Sequence, residues 1–450
     1  MIETANISVI IVSRDRPDDL QKMLACLRFQ DISGFETIVV TDTPDAPNPD
    51  LIPENLRVIP FDLENISAAR NVGIQASKGD FIAFCDDDAL PDPNWLRLLL
   101  APFSNPDIGG AGGFTRGRNG ISLQWGAVIT DLAGDVENVE ISETTIYAPQ
   151  KTTAPVLIGT NCAFRKTALT QIAGFDENFA YYLDDSDISL RLSQAGWHLA
   201  IVPDAQVHHG FSSSAQRTKH RIPKSLEQIG KSKAYFCRKH ARGTVNDQAL
   251  RDFELLHRRR LEKLMLSGYL EPAGIAPILQ SLNIGMLKGN ALTLPEQKAD
   301  VKPSISVRPE IRQKTNRHVI LAGGRKNSKW LKKTAGLLSK RGILVTTICL
   351  GYSAMYMQVL FSQNGFWQHS GGRFGKADRD DPIWRWYRKT ARFMAEIRRL
   401  SVYRPVDILV FPRARDFDAS LSPQRSGMTD QNNYTILDDS MLDNFLDNLK

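Results

Sequence analysis

Phe81-Ile82-Ala83-Phe84-Cys85-Asp86-Asp87-Asp88 runs an apolar stretch straight into three consecutive aspartates. The apolar part has the length and composition of a strand buried on both faces. The carboxylates come where that strand surfaces. Like charges repel and resist burial unless they are paired or bound to a cation, so the cluster points to a divalent metal. Working outward, Ile7 to Val12 is a β-branched run of the same kind, and shorter apolar strands follow at Thr37 to Val40 and Leu56 to Ile59. Helical patterns separate them, one starting at Pro17 and one running through Ala68, Arg70, Asn71 and Ile74 with Ser67 as its cap. This alternation predicts an α/β domain built on a largely parallel sheet, in which ligands gather beyond the carboxyl ends of the strands. Asp42 and the Asp86 to Asp88 cluster both fall there.

Further along, the chain is glycine-rich and irregular from Gly109, with a hairpin expected through Gly134 and Asp135. Order returns at Gly159-Thr160-Asn161 and the strand-like Cys162 to Arg165. Tyr181-Tyr182-Leu183-Asp184-Asp185-Ser186-Asp187 then opens a helix that stops at Gly196. Carboxylates in a first helical turn are favoured by the helix dipole and can cap free amides, which accounts for one or two of these three. Asp187 pairs with Arg191 at i,i+4 and is assigned a structural role, leaving Asp184 and Asp185 for chemistry. After the strand Leu199 to Val202 come His208 and His209. The expected organisation is a first α/β domain over 1–215, a basic helical extension over 216–290, a linker over 291–316 and a smaller C-terminal α/β domain over 317–450. In that last part, Gly323-Gly324 lacks the GxGxxG spacing and reads as a tight turn. Its Trp330, Trp367, Trp384 and Trp386 read either as a binding surface or as filling a small core and its docking face, with the second favoured.

The chain has 450 residues, of which 42% are hydrophobic and 24% charged, the profile of a globular protein of two or three domains rather than a disordered one. Its five cysteines form no CxxC pair, which fits reduced thiols in the cytoplasm and gives no support to zinc. The first residues carry no basic group and no signal-peptide core, and no apolar run approaches the ~20 residues that span a bilayer. The expectation is a cytoplasmic protein, attached at most peripherally to the inner face of the membrane. The net charge of +6 is concentrated, with 14 Lys/Arg against 5 Asp/Glu between Arg217 and Leu264. This segment reads either as a peripheral membrane contact, 217–264, that meets anionic head groups or a lipid-phosphate acceptor, or as a solvated helix face. Aromatics do not interleave with these charges, so nucleic acid is not expected.

Taken together, residues 7 to about 212 resemble the family 2 glycosyltransferases, inverting enzymes of the GT-A fold, over a series of motifs in order. Ser8-Val9-Ile10-Ile11-Val12 is similar to the family's first strand, Asp42 to its base-contacting acid, and Ala69-Arg70-Asn71-Val72-Gly73 to the segment near the nucleotide. Phe84-Cys85-Asp86-Asp87-Asp88 resembles the DxD element. Gly174-Phe175-Asp176-Glu177 with Asp184-Asp185-Ser186-Asp187 and Arg191 resembles the acceptor-side block. The resemblance implies a GT-A-type doubly wound mixed sheet and a nucleotide-diphosphate sugar donor held by Asp42, Arg70, Asn71, Asp86 and Asp87. It also implies Mg²⁺ or Mn²⁺ on Asp88 and Asp86, with His208 or His209 completing the shell, His208 being preferred.

The chemistry asks for these groups. Breaking the bond from the anomeric carbon to the diphosphate leaves negative charge on the leaving group, which an oxygen-loving divalent cation neutralises. Strand alternation sets Asp86 and Asp88 to one side and Asp87 to the other, towards a ribose or solvent, where replacement should be tolerated best. A carboxylate must take the proton of the attacking hydroxyl, a role assigned by resemblance to Asp185, with Asp184 the alternative. The Gln-x-x-Arg-Trp motif of processive synthases is missing, so transfer of one or a few sugars to a glycan or lipid-linked acceptor is expected. Two other readings stand beside this one. A sugar-nucleotide nucleotidyltransferase would need a glycine-rich loop after the first strand, where Ser13-Arg14-Asp15-Arg16-Pro17 stands instead. A non-catalytic carbohydrate-binding scaffold would leave the acids without work.

Overall fold

A computed structural model describes residues 7–43, 52–210, 222–241, 244–295, 307–412 and 435–438. In chain order the first part forms β1 (Ile7–Ser13), α1 (Pro17–Leu27), β2 (Ile32–Ser33), β3 (Phe35–Thr41), β4 (Leu56–Pro60), α2 (Ile66–Ala76), β5 (Phe81–Cys85), β6 (Ala89–Pro91) and α3 (Trp95–Leu100). Next come β7 (Ile108–Arg116), β8 (Leu123–Trp125), β9 (Ala127–Asp131), β10 (Val136–Val139), β11 (Thr145–Tyr147), β12 (Thr153–Pro155), β13 (Asn161–Arg165), α4 (Lys166–Gln171), α5 (Asp184–Gln194) and β14 (His198–His209). The largest sheet has the order β11-β14-β7-β13-β5-β1-β3-β4, with β6 added on β14 and β8 on β7.

This is the expected mixed, doubly wound sheet. β1 runs parallel to β3 and β5, and β14 parallel to β7, while β13 lies antiparallel between β5 and β7 and joins the two parallel halves. The strands are apolar throughout because both faces are covered. Val9, Ile11, Ala83 and Cys85 enter one core with Leu20, Leu24 and Trp95, while Ile10, Ile82 and Phe84 enter the other with Phe164, Phe175 and Leu190. The cap of α2 differs from expectation. Asn65 accepts the Ala68 N–H, and the Ser67 hydroxyl instead donates to the Phe179 carbonyl at 2.6 Å.

Three helices follow, α6 (Glu227–His240), α7 (Thr244–Leu266) and α8 (Pro272–Ala291). Several cations of the basic region serve the fold. Lys233 donates to Asp135 at 2.6 Å, Lys239 meets Asp176 and Asp187 at 2.7 Å each, and Arg238 donates to the carbonyls of Gly289, Asn290 and Leu292 that end α8. Residues 217–221 of that region lie outside the described residues, as do 296–306 of the expected linker. Its described end is tied down: β15 (Arg312–Gln313) pairs with β2, and the Asn316 amide donates to the Phe29 and Gln30 carbonyls at 2.8 and 3.0 Å.

The second α/β unit comprises β16 (His318–Gly324), α9 (Ser328–Lys340), β17 (Leu344–Gly351), β18 (Gln358–Phe361), β19 (Trp367–Gly372), α10 (Lys389–Ser401), β20 (Ile408–Phe411) and β21 (Thr435–Asp438). Its sheet order is β18-β19-β17-β16-β20-β21, parallel except for β18. The unit shares a core with the first domain through Ala25, Cys26, Phe29 and Ile121. A buried charge network adds to that join. Arg404 donates to Asp92 Oδ1 at 2.7 and 2.8 Å, its guanidinium lies 3.7 Å over the Trp367 ring, and it meets His369, which meets Glu396. Trp367 is thus a core residue, whereas Trp384 and Trp386 are 56% and 61% exposed, contrary to the packing role expected for them. No helix among the described residues is long and apolar enough to cross a membrane. All five cysteine thiols are free.

Candidate functional site

At the carboxyl end of β5 the three aspartates diverge. Asp86 stays half-buried, accepts the Thr160 hydroxyl at 2.6 Å and lies 3.7 Å from Arg70. Asp88 is buried and lies 3.8 Å from Arg16 and 3.1 Å from His209 Nε2. The ligand atoms of Asp86, Asp88 and His209 all fall within 4.8 Å of one another. Asp87 is only 3% exposed, accepting the Ser13 hydroxyl at 2.8 Å and Arg16 at 3.0 Å. Burial raises its carboxyl to about 7, against Arg16 and with the help of Asp88. The alternation is as expected, but Asp87 meets the fold rather than solvent, so it is a poor candidate for the most replaceable of the three.

The histidines also differ from expectation. His208 and His209 alternate across β14, and it is His209 that faces the carboxylates. His208 points the other way, 3.3 Å from Asp92 and against the Trp367 ring, and burial holds its ring below the ordinary range. The Gln124 amide oxygen lies 2.8 Å from His209 Nδ1, and in the tautomer that donates this bond Nε2 turns its lone pair towards Asp88. His209 Nε2 and Asp88 Oδ1 stand 3.1 Å apart. The separation suits neighbouring ligands of one octahedral ion, about 3 Å apart for bonds near 2.1 Å. The residues present therefore fit Mg²⁺ or Mn²⁺.

The second acid group enters through a sharp turn. Leu183 sits in the left-handed region at φ 65° and swings the chain into α5, so that Asp184 and Asp185 occupy its first turn. Arg70 reaches from α2 to ion-pair with Asp184, its guanidinium 5.1 Å from the Phe175 ring. One buried arginine thereby links the acids of α5 to Asp86. Asp185 is half-buried and takes the N–H of Ser186 at 3.0 Å. Burial and the adjacent Asp184 raise its carboxyl to about 7, against Arg70. Gly159 lies against this arrangement, where a Cβ would stand 2.2 Å from an Arg70 nitrogen. Asp187 is buried and paired with Arg191 at 2.7 Å, as assigned.

Two further expected residues sit apart. Asn71 is turned into the 174–177 loop, bonding Phe175 in both directions at 2.9 Å and Glu177 at 3.0 Å, so it holds that loop rather than facing the cluster. Asp42 lies beyond the end of β3 and accepts the Asp15 N–H at 3.2 Å, next to residues 44–51, which are outside those described. Sequence reasoning missed Thr160, Arg16 and Gln124. Thr160 and Arg16 stand in segments whose position after a strand or before one gave a signal, whereas Gln124 gave none.

The Glycosyl transferase family 2 model matches residues 8–173. The pre-mycofactocin glycosyltransferase of Mycobacterium tuberculosis is 28% identical over 224 residues, which cover 45% of this chain and 42% of that protein. The uncharacterized glycosyltransferase YwdF of Bacillus subtilis is 24% identical over 258 residues, 56% of this chain and 88% of that one. The chain thus spans less than half of the mycobacterial relative. A mannosyltransferase of Pyrobaculum calidifontis, solved with GDP-Man and Mn²⁺, aligns with a TM-score of 0.39 at 16% identity over 63% of this chain and 86% of that one, a likeness too weak to carry an argument. The family match thus runs from the first strand to the turn after α4.

Proposed function

We propose that the chain is a metal-dependent inverting glycosyltransferase. It moves a sugar from a nucleotide-diphosphate sugar to a hydroxyl of a glycan or lipid-linked acceptor, one or a few sugars at a time, in the synthesis of bacterial cell-surface polysaccharide or glycoconjugate. The observation that carries this reading is the convergence of Asp86, Asp88 and His209 within 4.8 Å, joined through Arg70 to the Asp184-Asp185 turn. A bound Mg²⁺ or Mn²⁺ supplies neutralisation of the diphosphate charge there. The chain's own residues do the rest. Asp185, with its carboxyl raised to about 7, takes the proton as the acceptor oxygen attacks the anomeric carbon opposite the leaving group. The bond to the diphosphate breaks, its electron pair leaves with the diphosphate, and a single displacement inverts the anomeric centre. Arg70 holds Asp184 beside this base and keeps the two carboxylates apart in role.

The nucleotidyltransferase reading loses ground because no glycine-rich loop follows β1 and both arginines there are already paired, Arg14 with Asp62 at the surface and Arg16 with the buried Asp87. A scaffold would gain nothing from two carboxyls held near 7. The test is a panel of nucleotide sugars incubated with Mn²⁺ and acceptor-free enzyme, followed by slow hydrolysis of the donor. Metal-dependent hydrolysis of one donor that disappears in Asp88→Asn supports the reading. Hydrolysis undiminished by chelator and by Asp88→Asn rejects it.

A further inference from the structure

The C-terminal unit presents a face that the transfer reaction leaves unused. Residues 379–386 are exposed without a break, and they include Ile383 at 81%, Trp384 at 56% and Trp386 at 61%. Tyr352 at 79% and Met355 at 53% lie on the neighbouring loop after β17. The two loops form one surface around Phe374, whose ring stacks on Trp386 at 5.1 Å and meets Tyr352 at 5.0 Å and Trp384 at 6.1 Å. Hydrogen bonds fix it, with the Arg385 N–H donating to the Phe374 carbonyl at 2.9 Å and the Arg373 side-chain Nε to the Tyr387 carbonyl at 2.6 Å.

Cations border these rings. Arg373, Arg379, Arg385 and Arg388 stand within or beside the patch, and the Arg373 guanidinium lies over Trp386 at 5.7 Å and Tyr352 at 5.8 Å. Three acids, Asp378, Asp380 and Asp381, stand among them, and with Lys376 and Lys389 counted the segment 373–389 keeps a net positive charge.

The geometry points to a docking surface for an anionic phospholipid membrane. Tryptophan and tyrosine suit the boundary between acyl chains and head groups, arginine pairs with head-group phosphate, and the aliphatic Ile383 and Met355 gain by entering hydrocarbon. A sugar ring would use the aromatic faces but leave Ile383 and Met355 in water. Contiguous apolar exposure with a cationic rim suits such a contact. The basic segment at 217–264, by contrast, commits several of its cations to internal partners. This inference is independent of the transferase reading, since docking can fail while the chemistry persists.

The experiment is co-sedimentation of the full chain with phosphatidylcholine vesicles and with phosphatidylcholine/phosphatidylglycerol vesicles. Binding to the second alone, weakened by salt, is expected. The Ile383→Ser/Trp384→Ser double variant should bind at least about tenfold more weakly with an unchanged melting temperature. Should that variant melt early, the charge reversals Arg385→Glu and Arg388→Glu, both at exposed positions, decide the matter by the same loss. Equal binding to both vesicle types, no binding by the wild-type chain, or full binding by the charge-reversed variant overturns the inference.

Discussion

The short strand pair of β6 and β14 divides two acid groups that solve the same electrostatic problem in opposite ways. On the side of the second sheet, Asp92 is met by Arg404 and His208, and Glu396 by His369, Arg392 and Arg399. Against the burial that would raise them, Arg404 and His208 hold Asp92 well below the usual carboxylate range, and Arg399 and His369 do the same for Glu396. On the side of the cluster, Arg16 is paired with Asp87 and Asp88 and Arg70 with Asp86 and Asp184, while a fifth carboxylate, Asp185, stands next to Asp184. There Asp87 and Asp185 are lifted to about 7. Charges balanced inside the fold cement two sheets together. Charges left in deficit are, on the proposed function, the ones that would take a cation and a proton from outside.

The sharpest way to break this contrast is to remove the group assigned to proton transfer. Asp185→Asn should lower the transfer rate roughly 10²- to 10⁴-fold while Mn²⁺ and donor affinity persist. Calorimetric titration beside turnover checks it, and loss of donor binding in step with the rate would turn Asp185 into a binding group. On the other side the loss should be one of stability. Arg404→Met strands Asp92 in a buried site with only His208, and breaking a buried pair this way costs about 3–5 kcal/mol. A lowered urea midpoint is the expected readout, with the turnover of the protein that remains folded changed far less than in Asp185→Asn.

A third experiment separates the two histidines. His209→Gln should weaken Mn²⁺ binding by more than the roughly 10- to 100-fold typical of groups that merely orient a ligand. His208→Gln should leave Mn²⁺ affinity within a fewfold of wild type and lower the melting temperature instead. Equal effects on metal affinity would erase the division of faces on which the contrast rests.

That division shows where sequence reading stops. The buried strands β1, β3 and β5 announce themselves because residues covered on both faces must be apolar at every position. Both acid groups announce themselves because carboxylates at strand ends and first helical turns are conspicuous. What alternation cannot tell is which face of β14 looks at which neighbour, so His208 and His209 were separable in principle and not assignable in practice. The resemblance of Ala69-Arg70-Asn71-Val72-Gly73 to a nucleotide-side segment implies a donor contact for Asn71, yet the 174–177 loop over a hundred positions away satisfies its amide. Arg404 and Asp92 stand 312 positions apart, and no local pattern marks either as a partner of the other.

The smallest expected effect tests the charge deficit with no metal or donor present. Asp185 has an ordinary value of 3.8 and is raised to about 7 in the fold. Between those values the folded, metal-free chain holds a proton that the unfolded chain has released, so its stability falls as pH rises through the window and levels off above about 7. Asparagine stays neutral throughout. Asp185→Asn should therefore melt close to wild type near pH 4, gain on it as pH rises, and hold a constant lead of a few degrees above about pH 7. Saturating Mn²⁺ should narrow that lead, because a bound cation offsets the charge that Asp185 gains on losing its proton. A variant less stable than wild type by a constant amount from pH 4 upward would instead mean that Asp185 is ionised throughout, and that its neighbourhood is balanced like that of Asp92.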